Sequence, residues 1–338
     1  MNISRKLRYV FGSGKNSKLV YYIKAYWAVL LPWQWLSWSR LQAMKKLESR
    51  EDKQQIEERI HYYCQLFEND KFDCDEFMQE STPLCQQKKT GQTVYYLDAF
   101  RYAKSFSKWL RWVLLPGDIT YVPRVPSIVK SRPICLHAEN ANSVLLNLDR
   151  VRHFLFVKDR KKFVEKKDKV VFRGLIGQEI GNSLKQNRYD FMKRYFGHPL
   201  CDAGVLDKEY PEWQTEKMTL REHLDYKFIM ALEGNDVASN LKWVMSSNSI
   251  AVMPRPTCES WFMEGKLVPN VHYIEIKPDF SDLEERLRYY ITHPQEAQKI
   301  IDNAHVYVQQ FLDSERENII AWGVLAKYFR FTNRNKKV

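Results

Sequence analysis

Between Tyr226 and Tyr273 the chain reads strand, turn, helix, strand, the order of a βαβ unit. The apolar run Phe228 to Leu232 leads into Glu233-Gly234-Asn235-Asp236. A helical stretch, Val237 to Met245, follows with Ser239, Asn240 and Lys242 in its first turns, and a second apolar run spans Ser249 to Met253. A glycine at a strand end permits a tight backbone turn. The free N–H groups and dipole at the helix start then favour an anion above the strand tips, a phosphate or diphosphate above all. Lys242 either adds a full positive charge there or lies on the helix surface. Asp236 and Asn235 are candidate caps, and Ser239 and Asn240 candidate phosphate donors.

From Val170 onward strands and helices alternate, with strands at 170–172, 228–232, 249–253 and 272–276 and helices at 188–196, 237–246, 282–292 and 294–312. Such alternation predicts a parallel sheet with helices on both faces. Ligands of such sheets bind beyond the carboxyl ends of the strands. Arg173-Gly174 and Glu233-Gly234 fall at two of those ends. A guanidinium pairs bidentately with phosphate oxygens, which makes Arg173 the first candidate diphosphate ligand. Its plain structural alternative is a salt bridge at a strand end. The charge run Lys158 to Lys169, KDRKKFVEKKDK, marks the expected domain boundary, and Arg316 to Phe331 reads as a final helix.

The amino-terminal half is less regular. Leu19 to Trp38 is rich in Tyr, Trp, Leu and Val, is broken by Pro32 and closed by Arg40. Its uncharged part, Ala25 to Ser39, is too short to span a bilayer and lacks a signal-peptide cleavage site. Trp27, Trp33, Trp35 and Trp38 beside Lys18, Lys24, Arg40, Lys45 and Lys46 suit a membrane interface; they equally suit helices packed on the domain. Further expectations are a long helix from Arg40 to Phe67, loop plus short helix over Asp70–Gln92, a strand at Val94–Leu97 and a helix from Ala99 to Leu115. Pro116-Gly117-Asp118 ends that helix, and Pro123, Pro126 and Pro133 keep the following path extended. Short buried strands are expected at Ile134–His137 and His153–Phe156, with His137 a core histidine. Asp73-Cys74-Asp75 has D-x-D spacing but lies in a polar helical stretch instead of after a hydrophobic strand, so no metal is expected there.

A chain of 338 residues has room for two domains. Its net charge of +12 and pI near 9.2 point to an anionic partner, nucleic acid, an acidic membrane surface or a phosphorylated substrate; the plain alternative is a soluble basic protein. No nucleic-acid-binding motif is present, so nucleic acid is not expected. Cys64, Cys74, Cys85, Cys135, Cys201 and Cys258 form no C-x-x-C pair. That spacing argues against zinc and for reduced thiols in a cytoplasm.

Phe172-Arg173-Gly174 after a strand, Tyr226-Lys227-Phe228 before one, Gly234 with Lys242 eight residues on, and Leu267-x-Pro269-x-x-His272-Tyr273 together resemble glycosyltransferase family 90. That family holds CAP10-like and protein O-glucosyltransferases and a bacterial branch that builds the lipopolysaccharide core. The likeness is clearest from Val170 to Phe311, and the wording from Leu232 to Trp243 resembles the bacterial branch. Eukaryotic members usually carry arginine where this chain has Asn240.

The resemblance implies an α/β GT-B architecture, two Rossmann-like domains facing a cleft. Residues 1–165 would form the acceptor side, 166–312 would hold the nucleotide sugar, and 313–338 would return as a helix to the first domain. It implies inverting transfer of glucose or galactose from a UDP-hexose to heptose of the inner core of lipopolysaccharide or lipooligosaccharide. No cofactor and no metal are implied. The enzyme would sit in the cytoplasm, peripheral on the anionic inner face of a bacterial inner membrane. Donor contacts then fall to Arg173, Gly174, Gly234, Asn235, Asp236, Ser239, Asn240 and Lys242, with Glu264 on the ribose or sugar. The general base is Asp118, by likeness to a family aspartate closely followed by prolines, with Asp98 second. Protein O-glucosylation in the endoplasmic reticulum is the runner-up; the missing signal peptide and the tail Asn335-Lys336-Lys337-Val338, no retention signal, point away from it.

Overall fold

The computed structural model describes residues 13–68, 72–89, 91–135, 137–177 and 186–334; Asp70 and the tail from Asn335 to Val338 lie outside it. The chain forms two compact units, and neither is one continuous segment. The chain changes unit at Asn16–Ser17 and again at Val151–Arg152, ahead of the charge run.

One unit is built from Ser17–Val151, Cys258–Glu264 and the chain from Phe311 onward. It begins with α1 (Lys18–Leu30) and α2 (Trp33–Leu47), separated at Pro32. Ser17 caps α1 by accepting from the Val20 amide. Lys104 Nζ donates to the Val29 and Leu31 carbonyls at 2.7 and 2.6 Å and satisfies the last turn of α1. The helix expected from Arg40 to Phe67 is interrupted: Arg50 pairs with Asp52 and Asp313, and α3 (Lys53–Tyr63) starts afresh after Asp52. Asp73 caps α4 (Cys74–Glu80), accepting from the Asp75 and Glu76 amides, both at 2.9 Å. The D-x-D spacing is thus a helix-start signal.

α5 (Thr93–Ala103) replaces both the strand expected at Val94–Leu97 and the helix expected from Ala99. Eight of its eleven residues are buried, so its sequence is apolar around most of the helix and neither period stands out. β1 (Thr82–Pro83) pairs antiparallel with β2 (Arg111–Trp112). β3 (Ser127–Val129) lies beside β4 (Ser131–Pro133) in sequence and pairs parallel with β5 (Ser143–Leu145). The strand expected at Ile134–His137 therefore lies just upstream, and 137–140 is a 3-10 turn. At His153 the chain is in a short helix, α6 (Arg150–His153), in place of a strand start. Among the described residues the strands of this unit form two-stranded pairs, not a second Rossmann-like sheet.

The other unit carries the alternating half of the sequence. Its elements are β6 (Lys167–Gly174), α7 (Gln186–Tyr195), β7 (Cys201–Val205), α8 (Leu220–His223), β8 (Tyr226–Met230), α9 (Leu241–Met245) and β9 (Ile250–Met253). The chain then leaves for one strand, β10 (Cys258–Ser260), which pairs antiparallel with β4 in the first unit's fold. It returns for β11 (Ile274–Glu275), α10 (Leu283–Thr292) and α11 (Pro294–Gln309). The sheet is five-stranded, parallel throughout, in the order β11-β9-β8-β6-β7. Its core packs Phe172, Phe228, Ile250 and Ile274 against Phe191, Leu287 and Ile301. Burying such side chains contributes about 1.5–3 kcal/mol each.

α12 (Ser314–Thr332) belongs with α1–α5. It crosses α3 so closely that a Cβ on Gly323 would lie 2.3 Å from Ile60 Cδ1. Beside that crossing Arg59 pairs with Glu317 at 2.5 Å, and Tyr63 stacks on Trp261 with ring centroids 3.9 Å apart.

Candidate active site

The strand order places the site. From β6 the chain moves to β7 on one side; β8 then falls on the other side of β6, with β9 beyond it. The loops leaving the carboxyl ends of β6 and β8 therefore diverge, and the crevice between them is the topological switch point where such sheets take ligands. Arg173-Gly174 ends β6, and Glu233-Gly234 follows β8.

Arg188, on α7, joins the two loops. Its Nη1 donates to the Leu175 carbonyl at 2.9 Å, after β6. Its Nη2 and Nε donate to the Leu232 and Glu233 carbonyls at 2.8 and 3.1 Å, after β8. No carboxylate pairs with it among the described residues. Burial draws its pKa down to about 10, against a partial attraction from Asp207. A guanidinium charge thus stands at the switch point. Sequence reasoning missed this residue, although a signal existed. Arg188 shares a helix face with the buried Phe191, Met192 and Tyr195, where a charge is out of place.

Arg173 ends β6 in the salt bridge that its structural alternative anticipates. Its guanidinium turns back to Asp202, with Nη2 at 2.6 Å from Oδ1 and Nη1 at 2.7 Å from the Asp202 carbonyl. Burial pushes the Asp202 carboxyl up, but hydrogen bonds from Tyr226 and Arg173 outweigh it and hold the group below its ordinary value. Nε of Arg173 is buried without a partner. Gly174 answers to packing: a Cβ there would lie 2.6 Å from Cζ of Phe172.

The loop after β8 is longer than expected and its helix shorter. α9 starts at Leu241, not Val237, because Asn240 Nδ2 donates back to the Met230 carbonyl at 2.9 Å and holds the preceding residues in a loop. Asp236 is buried, lies too far ahead to cap α9, and its carbonyl accepts from the Gly234 amide at 3.0 Å. Asn235 and Ser239 are exposed. Lys242 is fully buried, which corrects the surface reading of that side chain. Glu233 accepts from the Thr257 amide and hydroxyl at 3.0 and 2.6 Å, tying the loop after β8 to the one after β9.

Glu264, expected on the ribose or sugar, does not lie in the sheet unit. It is buried in the other, accepting from the Ser260 amide and hydroxyl at 2.6 and 2.9 Å. Its carboxylate closes its own turn.

The two base candidates both belong to the helical unit and differ in access. Gly117, at φ +111°, makes the turn that presents Asp118, a conformation side-chain-bearing residues rarely adopt. Asp118 forms an ion pair with Lys130, accepts from Tyr95 Oη at 3.3 Å, and has a side chain 20% exposed. Asp98 is 1% exposed and accepts from the Arg150 amide at 3.0 Å, capping α6. Burial pushes its pKa up to about 6, opposed by Arg150.

A parallel sheet with an arginine-stapled crevice at its switch point defines an α/β protein suited to an anionic ligand. The chain belongs to glycosyltransferase family 90: the family model Glycosyl transferase family 90 matches residues 147–338. It is 38% identical over 317 residues to the O-glucosyltransferase LpsA of Dichelobacter nodosus, covering 92% of this chain and 95% of that protein. Human Protein O-glucosyltransferase 3 is 24% identical over 174 residues, 49% of this chain and 32% of its own length. An uncharacterized protein, 035R, of invertebrate iridescent virus 3 is 26% identical over 102 residues, 30% of this chain and 9% of its own. The protein is a glycosyltransferase.

Proposed function

We propose that this glycosyltransferase moves a hexose, glucose or galactose, from a UDP-sugar to a heptose of the lipopolysaccharide or lipooligosaccharide inner core. Transfer inverts the anomeric centre and uses no metal. The observation that carries the donor reading is the switch-point crevice, with an unpaired guanidinium at Arg188 and Arg173 beside it. Likeness to an O-glucosyltransferase along nearly the whole chain supports the sugar chemistry.

In this reading the sheet unit takes the donor and the helical unit the acceptor, as in a GT-B enzyme. Arg173 exchanges Asp202 for the leaving diphosphate, a swap of one anion for another. Ser239 and Asn235, exposed on the loop after β8, donate to phosphate oxygens, and the charge of Arg188 stabilises the departing UDP. Asp118 accepts the acceptor hydroxyl's proton as its oxygen attacks the anomeric carbon and the bond to UDP breaks. Tyr95 and Lys130 hold its carboxylate in place. The acceptor is a phosphorylated glycolipid, and the enzyme works peripherally on the cytoplasmic face of the membrane that carries it.

The test is transfer from a panel of UDP- and GDP-sugars to truncated core glycolipid. UDP-glucose or UDP-galactose alone should support it. Transfer from GDP-sugars only, or to a protein hydroxyl in place of the glycolipid, would overturn this assignment; the likeness to Protein O-glucosyltransferase 3 makes the protein-acceptor arm worth running.

A further inference from the structure

α1 and α2 present an outer apolar surface. Leu19, Trp27 and Leu30 on α1 are 71%, 69% and 76% exposed, and Trp35 and Trp38 on α2 are 69% and 65% exposed. Leu19, Ile23, Trp27 and Leu30 recur at helical spacing and form one stripe. The inner sides of the same helices are already used. Tyr21 Oη reaches the Val94 carbonyl, Trp33 meets Phe100 edge-on at 6.2 Å, and Ser37 Oγ donates to Ser105 at 2.8 Å. Both helices are therefore apolar on the outside as well as the inside, and water is a poor medium for the outside. A groove of about 450 Å³ between α2 and residues 106–108, lined by Trp33, Trp38, Leu41, Phe106 and Lys108, carries the apolar surface inward.

The two helices themselves carry charge of one sign, and of their cations Lys46 is taken up by an ion pair with Glu315 of α12 at 2.7 Å. From Ser13 to Leu47 there is no Asp or Glu, against Lys15, Lys18, Lys24, Arg40, Lys45 and Lys46. A second copy docked on the same face about a two-fold axis would set this cationic surface against itself. An anionic sheet complements it. No helix among the described residues is long and apolar enough to cross a membrane, and α1, at 13 residues, is about 20 Å long. Indole rings, apolar with one N–H, favour the boundary between headgroups and acyl chains.

We propose that the outer face of α1 and α2 is a docking surface for a bilayer containing anionic phospholipid, and that the helices lie flat in its headgroup layer. Trp27, Leu30, Trp35 and Trp38 enter the acyl boundary while Lys18, Lys24 and Lys45 meet lipid phosphates. The inference rests on the proposed function only in taking the acceptor to be carried by that same bilayer.

The test uses the full chain with vesicles of phosphatidylethanolamine and phosphatidylglycerol, and with pure phosphatidylcholine vesicles as control. The protein should sediment with the anionic vesicles and release several-fold as salt rises from about 0.1 to about 0.5 M. Replacing Trp27, Trp35 and Trp38 together by Ser should lower partitioning at least about tenfold with little change in melting temperature, because all three are exposed. Lys18→Glu, Lys24→Glu and Lys45→Glu together should lower binding to the anionic vesicles and not to phosphatidylcholine. UDP affinity by calorimetry should be unchanged in both variants; absence of UDP binding in the wild type would fail the donor assignment and leave this one standing. The proposal is overturned by wild-type protein that ignores anionic vesicles at low salt, or by a folded Trp variant that binds them as well as wild type. A concentration-dependent dimer abolished by the Trp replacements, with vesicles ignored, would assign the face to a second copy.

Discussion

Asp118→Asn separates a catalytic carboxylate from a structural one. The Lys130 side chain is 2% exposed and that of Asp118 20%, so the substitution removes a carboxylate from beside a buried ammonium. Breaking a fully buried pair costs about 3–5 kcal/mol. Water reaches the Asp118 side, so roughly 1–3 kcal/mol is expected here, a fall of several degrees in melting temperature. Asparagine still accepts from Tyr95 Oη but cannot take a proton. Turnover should fall about 10²–10⁴-fold, the range for a lost general base, while UDP affinity by calorimetry stays near wild type. The double variant Asp118→Asn/Lys130→Met removes both charges and should regain most of the stability, because replacing both members of a buried pair is far less costly than removing one. Its turnover should stay low. A double variant that recovers stability and transfer together would show that Asp118 only neutralises Lys130, and would refute the assignment.

Arg173→Ala should weaken UDP binding by roughly 1.5–3 kcal/mol, the worth of a charge-assisted contact; unchanged affinity in a folded variant removes Arg173 from the donor site. Asp98 has its carboxyl raised to about 6 in the fold from an ordinary 3.8, so between those values the native state binds more protons than the unfolded chain. Its contribution to stability is therefore greatest below pH 4 and is lost as pH rises through 6. Asp98→Asn should flatten that slope in melting curves between pH 4.5 and 7.5 and keep transfer activity, whereas loss of transfer would move the base role to Asp98. Asp73→Ala should cost about 1 kcal/mol as a lost cap without affecting transfer, and EDTA should leave turnover intact; a metal requirement would contradict the capping account of the D-x-D spacing.

The central strands were legible because β8 and β9 are near-continuous apolar runs and β6 buries Val170, Val171 and Phe172 in succession, as a sheet buried on both faces requires. β7 was not: Cys201-Asp202-Ala203-Gly204-Val205 is short, has small residues and an Asp in place of large apolar ones, and occupies the sheet edge. Glycine at 204 is required there, since a Cβ would lie 1.9 Å from Thr215 Oγ1, but only the folded edge shows that neighbour. Local chemistry located the loop after β8, yet Asn240 reads equally as phosphate donor and as tether until its partner carbonyl is known. Burial of Lys242 and the turn of Arg173 onto Asp202 are tertiary facts with no local signature. Arg188 stood in plain view as a charge on an apolar helix face, and its importance lay in carbonyls 13 and 44–45 residues away.

The excursion of Cys258–Glu264 and the return of α12 have a consequence for how the chain is made. The helical unit needs Tyr63 against Trp261, 198 residues later, Arg59 against Glu317, 258 later, and Val113 against Tyr328, 215 later. Loops of that length close slowly, and contacts across them are among the last to form. During synthesis the apolar sides of α3 and α5 emerge first and wait, uncovered, for a helix made about 200 residues later. The sheet unit, whose strands β6 to β9 are close in sequence, has no such wait. A chain interrupted between Phe311 and Arg334 would carry a finished sheet and an open helical half, with the apolar sides of α3 and α5 exposed until α12 covers them.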